Sequence, residues 1–84
     1  MSMYTTTDFY SACILRACRI QLTDIIKMSS KTVEFVFREN EKECNRVLKS
    51  HWDGELILPT KDVVGAISEL KTRLHTVLSN DKAD

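Results

Sequence analysis

The chain has 84 residues, and its 12 basic and 12 acidic side chains give a formal net charge of zero at pH 7. This length predicts a single domain over residues 1–84, with an ordered core at about 4–78 and a frayed C-terminal tail at 80–84. The balanced charge argues against bulk electrostatic binding of nucleic acid, and no stretch approaches the ~20 apolar residues of a membrane span.

The cysteines predict a protein of the reducing cytoplasm. Cys13, Cys18 and Cys44 are an odd number without a close pairing pattern, which does not suit a disulfide framework. Each falls where we expect apolar neighbours, and a free cysteine packs there as a small hydrophobic residue. The polar start of the chain also lacks the pattern of a signal peptide.

The first predicted helix runs from about Asp8 to Arg19. The threonines before Asp8 are suitable N-caps, and Asp8 suits the positive end of the helix dipole. A period of 3.6 residues collects most apolar side chains on one face, namely Phe9, Tyr10, Cys13, Ile14, Ala17 and Cys18. Leu15 falls on the polar face, where it is either an ordinary exposed leucine or a contact for a partner.

Two strands follow, joined by the polar turn Ser29-Ser30-Lys31, which predicts an antiparallel hairpin. In the first strand, Ile20–Met28, alternation places Leu22 and Ile26 on one face and Ile25 on the other. The second strand, Thr32–Arg38, has the clearest alternation in the chain. Its core-facing residues are predicted to be Val33, Phe35 and Phe37, with Val36 on the opposite face.

The second half begins with a helix capped by Asn40, with Glu43 at the capping-box position. Its predicted buried face consists of Cys44, Val47, Leu48, His51 and Trp52. Asp53-Gly54 ends this helix, and Glu55–Leu58 is predicted to be a short strand. A third helix starts at Thr60, with an apolar seam at Val63, Ile67, Leu70, Leu74, Val77 and Leu78.

The predicted order is therefore α-β-β-α-β-α, an α+β two-layer sandwich in which helices cover one face of a three-stranded sheet. If the third strand lies beside either of the others, its connection should be a right-handed crossover. The open face of the sheet is predicted to carry Ile25, Val36 and Ile57. Together with Leu15, these residues form a candidate protein interface.

No residues with a clear catalytic, cofactor-binding or metal-ligating pattern are found, so an enzyme is not predicted. Gly54 and Gly65 are too few and too far apart for a phosphate-binding loop. His51 lies seven residues after Cys44 on the same helix face, which suggests either a Cys–His pair or two packed core residues. The expectation is core packing, with no cofactor.

A basic stripe on the second helix offers an alternative function. Lys42, Arg46 and Lys49 share the face opposite the apolar one. Arg16, Arg19, Lys27 and Arg38 extend this stripe if the fold brings them to the same surface. The candidate contacts for a nucleic-acid backbone are Arg16, Arg19, Lys42, Arg46 and Lys49, although a solvated helix face explains the same pattern.

Four segments together form a pattern: Tyr4-Thr5-Thr6-x-Asp8-Phe9-Tyr10-x-Ala12, Val33-Glu34-Phe35-Val36-Phe37, Trp52-x-Gly54-Glu55-Leu56 and Leu70-Lys71-x-Arg73-Leu74. This pattern resembles a family of short bacterial proteins classed as a domain of unknown function. The resemblance spans Tyr4 to about Leu78. It implies a small prokaryotic protein, with a phage or mobile element as one source, and it transfers no ligand or site residue.

The function predicted from these observations is a small, non-catalytic protein-binding or regulatory protein. It associates with itself, for example as a homodimer, or acts on a host complex. The alternative is an accessory nucleic-acid-binding module that uses the basic surface.

Overall fold

The computed structural model describes residues 3–80, which form three helices and one three-stranded antiparallel sheet. The helices are α1 (Phe9–Ala17), α2 (Glu41–Trp52) and α3 (Thr60–Asn80), and the strands are β1 (Tyr4–Thr6), β2 (Leu22–Lys27) and β3 (Val33–Phe37). The α+β class is confirmed. The predicted order α-β-β-α-β-α is wrong, because the elements follow the order β-α-β-β-α-α. Residues 81–84 of the predicted tail lie outside the described residues.

β3 is the central strand of a sheet with the order β1-β3-β2. Its side chains Val33, Phe35 and Phe37 are buried, as the alternation predicts. Phe37 lies opposite Tyr4 of β1 and Leu22 of β2. Because β3 is paired on both sides, its inward-facing side chains lie at the centre of the sheet surface that the core packs against.

β2 and β3 form the predicted antiparallel hairpin. The Ser29 hydroxyl oxygen accepts hydrogen bonds from the backbone N–H groups of Lys31 (3.3 Å) and Thr32 (3.1 Å). The Met28 N–H donates to the Thr32 carbonyl at 2.8 Å. These bonds close the turn at Ser29-Ser30-Lys31, where the sequence predicts it.

A β-bulge in β2 changes the predicted faces. Leu22 lies opposite Phe37 and Asp24 opposite Val36, so one extra residue is inserted between Leu22 and Asp24. The inserted Thr23 donates a hydrogen bond from its hydroxyl to the Val36 carbonyl (3.0 Å). As a result, Ile25 joins Leu22 in the core, and its predicted place on the open face is wrong.

The third strand of the sheet is β1, and not the predicted strand Glu55–Leu58. β1 pairs antiparallel with the edge of β3 that β2 leaves free, so the crossover connection does not form. The segment 55–58 alternates in burial, with Leu56 partly buried against the core and Ile57 exposed. The N–H groups of Glu55 and Leu56 bond to the Ser50 carbonyl at the end of α2 (2.9 and 3.2 Å).

Asp8 is the N-cap of α1. Its carboxylate accepts a hydrogen bond from the Ser11 N–H at 2.8 Å. Thr6, one of the predicted caps, belongs to β1, and its hydroxyl oxygen accepts from the Asp8 N–H at 3.1 Å. Thr5 and Thr6 are paired in β1 and do not cap the helix, and the cap is Asp8, one position after the last threonine.

We expect Asp8→Ala to lower the free energy of unfolding by about 1 kcal/mol at neutral pH, because the cap bond is lost. Hydrogen bonds from the side chain and the backbone of Ser11 lower the pKa of Asp8. The cap therefore stabilises the fold at pH values above the pKa that Asp8 has in the unfolded chain. This contribution is lost as the pH falls through the lower pKa that Asp8 has in the folded chain. Urea unfolding of both proteins at neutral and at acidic pH measures the effect.

The matched control for this prediction is Asp8→Asn. Asparagine caps a helix about as well as aspartate but does not titrate, so its free energy of unfolding should lack the acid-dependent part of the Asp8 contribution. An Asp8→Ala deficit that is the same at both pH values would contradict the role of the ionised carboxylate.

The burial of α1 differs from the predicted helix face. Leu15, expected to be exposed, has 0% of its surface exposed, whereas Tyr10, expected in the core, is 64% exposed. α1 contacts α2, α3 and β1. A helix with neighbours on several sides buries more than one stripe, and its sequence periodicity is then a poor guide to the exposed side.

α2 has the expected ends. The Asn40 side chain accepts from the Glu43 N–H (2.7 Å), which confirms the cap. The return bond of the capping box is made by Glu39, whose carboxylate accepts from the Asn40 N–H at 2.9 Å. Trp52 is 70% exposed, so its predicted place in the core is wrong. At the C-terminus, Gly54 adopts a φ of +76°, which glycine tolerates without a Cβ clash.

All three helices contribute to one buried cluster with the inward-facing strand residues. The cluster contains Ala12, Cys13, Leu15, Leu22, Ile25, Val33, Phe35, Phe37, Cys44, Val47, Leu48 and Leu70. Val36 is buried but is not a member of this cluster. The helices therefore pack on the phenylalanine side of the sheet, and Val36 lies on the other side.

Candidate functional site

The four residues of the predicted protein interface do not form one surface. Leu15 and Ile25 belong to the core. Val36 faces away from the helices as predicted but is only 8% exposed. Ile57 is 91% exposed and lies in the connection between α2 and α3, outside the sheet. The bulge in β2 turns Ile25 into the core, and Leu15 is buried because α1 has neighbours on several sides. Ile57 lies outside the sheet because β1 takes the place of the predicted third strand.

The side of the sheet that carries Val36 is accessible to solvent, and we call it the outer face. The strand register places Thr5 and Asp24 opposite Val36, and Ile26 opposite Glu34. Residues directly opposite one another share a face, so these five residues define the outer face. Asp24 and Thr5 are exposed, and Ile26 is 42% exposed.

Ile26 is the apolar residue of the outer face that sequence reasoning missed. Strict alternation places it beside Leu22 and thus in the core, but the bulge reverses the faces after Thr23. Met28, which follows the end of β2, is also exposed. No local signal in the sequence marks the bulge, because the extra residue is defined by the partner strand.

The five predicted nucleic-acid contacts are mostly neutralised by carboxylates. The Arg16 guanidinium lies 3.3 Å from the Glu69 carboxylate of α3. Lys49 lies 2.6 Å from Asp53 on the same helix. Arg46 pairs with Glu43, whereas Lys42 and Arg19, the latter just after the end of α1, are exposed. The five side chains therefore do not form one continuous free basic surface.

Two of these residues, Arg19 and Arg46, line one cleft together with Arg38. The cleft has a volume of about 510 Å³ and lies where the end of α1, the end of β3 and the middle of α2 meet. We call it the arginine cleft. Its lining residues are Cys18, Arg19, Ile20, Gln21, Arg38, Glu39, Glu43, Arg46, Val47, Ser50 and Leu56.

The thiols are not activated. Burial raises the pKa of Cys13 and of Cys44 to about 11, and it also raises the pKa of Cys18, against a smaller opposing effect of the Arg46 charge. The thiolate is the nucleophilic form of cysteine, so these side chains are protonated at neutral pH. The alternative of a catalytic Cys–His pair has little support, because Cys44 is fully buried with a protonated thiol; His51 is half-buried.

Within residues 3–80 there is no group of three or more histidine, cysteine, aspartate or glutamate side chains arranged to hold a metal ion. In the same part of the chain, no helix combines the length and the apolar character needed to cross a bilayer.

Comparison with known proteins returns no match to a family model, to a curated protein or to a solved structure. The resemblance to short bacterial proteins of unknown function stays a prediction.

Proposed function

We propose that this chain is a small, non-catalytic protein-binding protein whose contact surface is the outer face of the sheet. The observation that carries the proposal is the exposed Ile26 beside the shielded Val36, on the side of the sheet that the helical core leaves free. Exposed apolar groups gathered on one face tend to mark protein interfaces. The proposed partner is a second copy of the chain or a protein of a host complex.

The composition of the outer face supports a reversible contact. Asp24, Glu34 and Thr5 surround the apolar pair with polar and charged groups. An apolar centre with a polar rim is the usual arrangement of interfaces that form and dissociate. The free cysteines within the described residues suit a reducing compartment, so we place this activity in the cytoplasm.

Nucleic-acid binding has less support, because three of its five candidate cations, Arg16, Arg46 and Lys49, have carboxylate partners. A cation that already neutralises a carboxylate releases fewer counterions from a phosphate backbone.

We expect Ile26→Lys to weaken association about tenfold, because the partner would then cover a charge, which must be desolvated, in place of an apolar side chain. Light scattering over a concentration series measures self-association, and affinity capture from a native lysate, with and without nuclease, measures binding to other proteins. Ile57→Lys is the matched control, since Ile57 is even more exposed but lies outside the sheet.

Unchanged melting temperatures for both variants would show that the fold is intact. If the wild-type chain is monomeric and captures no protein, the proposal is wrong. If Ile57→Lys abolishes association and Ile26→Lys does not, the interface lies at the α2–α3 connection instead of the outer face. Capture that disappears with nuclease would favour the nucleic-acid alternative.

A further inference from the structure

We infer that the arginine cleft binds a small molecule that carries an oxyanion, a phosphate ester or a carboxylate, on an apolar body. This site is separate from the outer face and does not depend on the proposed function.

The first observation is the distribution of ion pairs among the arginines. The chain has five arginines, and three of them have carboxylate partners: Arg16 and Arg73 with Glu69, and Arg46 with Glu43. The side chains of the other two, Arg19 and Arg38, have no hydrogen-bond or ion-pair partner among residues 3–80. Both of these line the arginine cleft.

The backbone holds these two arginines at the same end of the molecule. Arg38 follows β3 directly, and its N–H donates to the Gln21 carbonyl at 2.8 Å. Gln21 lies two residues after Arg19. The bond therefore ties the end of the central strand to the segment that leaves α1, and both arginines on these two segments line the same cleft.

The second observation is the backbone conformation of Arg19. α1 and α2 both end in a Schellman motif: the Ile20 N–H bonds to the Leu15 carbonyl (3.2 Å), as the Glu55 N–H bonds to that of Ser50 (2.9 Å). The left-handed position of this motif is occupied by Gly54 in α2 but by Arg19, with φ +68°, in α1. A side chain costs stability at this position, and strained residues of this kind cluster at functional sites.

The charge of the cleft suits an anion. Glu43 is engaged by Arg46 in a two-bond contact, so this pair is close to neutral. Glu39 already accepts the Asn40 N–H at 2.9 Å. Arg19, Arg38 and Glu39 then leave a net charge of +1 at the cleft.

The remaining lining residues suit the rest of such a molecule. Ile20, Val47 and Leu56 are apolar, whereas Gln21 and Ser50 offer hydrogen-bonding groups. A volume of about 510 Å³ lies within the range of small-molecule sites. A planar guanidinium binds both carboxylate and phosphate with two parallel hydrogen bonds. The two arginines therefore favour an oxyanion, and a phosphate ester and a carboxylate suit them equally.

The test is a titration of the ¹⁵N-labelled chain at low ionic strength with phenyl phosphate, benzoate, inorganic phosphate and benzyl alcohol. We expect saturable shifts of the amide signals of Arg19, Ile20 and Arg38 with phenyl phosphate or benzoate, and weaker shifts with inorganic phosphate. Whichever of phenyl phosphate and benzoate binds with the higher affinity identifies the phosphate ester or the carboxylate as the preferred group. No shift at ~10 mM of either aromatic anion, or equal shifts with benzyl alcohol, would overturn the inference.

Variants separate binding from folding. Arg19→Gly should raise the melting temperature by about 4–8 °C, because it relieves the left-handed strain, and should weaken binding by about tenfold or more. Arg38→Gln keeps the backbone bond to Gln21 and should weaken binding to a similar extent. Lys31→Gln, which removes one charge at the hairpin turn, is the control and should leave the affinity unchanged. Unchanged affinity in both arginine variants contradicts the site.

Discussion

Leu15→Ala should lower the free energy of unfolding by about 3 kcal/mol, within the range of about 2–5 kcal/mol seen for buried leucines. Leu15 has no exposed surface and belongs to the central cluster. Its carbonyl also accepts the Ile20 N–H in the motif that ends α1, and this bond remains in the alanine variant. The loss therefore reports burial of the side chain. Urea unfolding followed by circular dichroism measures it.

The comparison that makes this result informative is Tyr10→Ala on the same helix. Tyr10 is the larger side chain but is mostly exposed, with an edge contact to the Phe9 ring at 5.3 Å between centroids. Its removal should cost about 1 kcal/mol or less. The helix periodicity of the sequence predicts the opposite ranking, with Tyr10 buried and Leu15 exposed. A larger loss for Tyr10→Ala than for Leu15→Ala would favour the sequence-based face over the structure.

Phe37→Ala should lower the free energy of unfolding by about 3–5 kcal/mol. Phe37 is fully buried in the central strand, with Tyr4 and Leu22 as its partners on the two neighbouring strands. A small domain has a total stability of only about 5–15 kcal/mol, so this variant should be largely unfolded well below the melting temperature of the wild-type chain. Thermal unfolding by calorimetry is the appropriate measurement.

Two further variants bracket this effect. Phe37→Leu keeps an apolar side chain at the site and should recover much of the lost stability. Trp52→Ala removes an even larger aromatic ring, but from a position that is 70% exposed, and should cost little. A strongly destabilised Trp52→Ala protein would mean that the end of α2 packs as the sequence predicts and not as the structure places it.

The elements that were predicted well depend on contacts a few residues apart. The Ser29 turn, the Asn40 cap and the Gly54 helix end are all made by hydrogen bonds within five residues of sequence. The alternation of β3 is also local, because successive side chains of a strand point to opposite faces. The side that carries the largest apolar groups can therefore be read from the sequence. These features follow from side-chain chemistry and backbone geometry before any tertiary contact forms.

The errors concern pairing partners that are distant in sequence. Tyr4–Thr6 is too short to signal a strand, and it becomes one only because β3 has a free edge. The segment 55–58 has a strand-like pattern but pairs with no strand within residues 3–80. Which of two weak candidates fills an edge depends on chain connectivity and on helix packing, and neither is encoded locally.

The candidate sites follow the same division. Arg19 and Arg38 are 19 positions apart in the sequence, and only the fold brings them to one cleft, where neither forms an ion pair with a carboxylate of residues 3–80. Ile26 became a surface residue because a bulge is defined by two strands together. The two ends of α2, the hairpin turn and the core side of β3 can be predicted from the sequence, since each depends on neighbouring residues. Which side chains are exposed together can be seen only in the folded chain, because it depends on packing between distant segments.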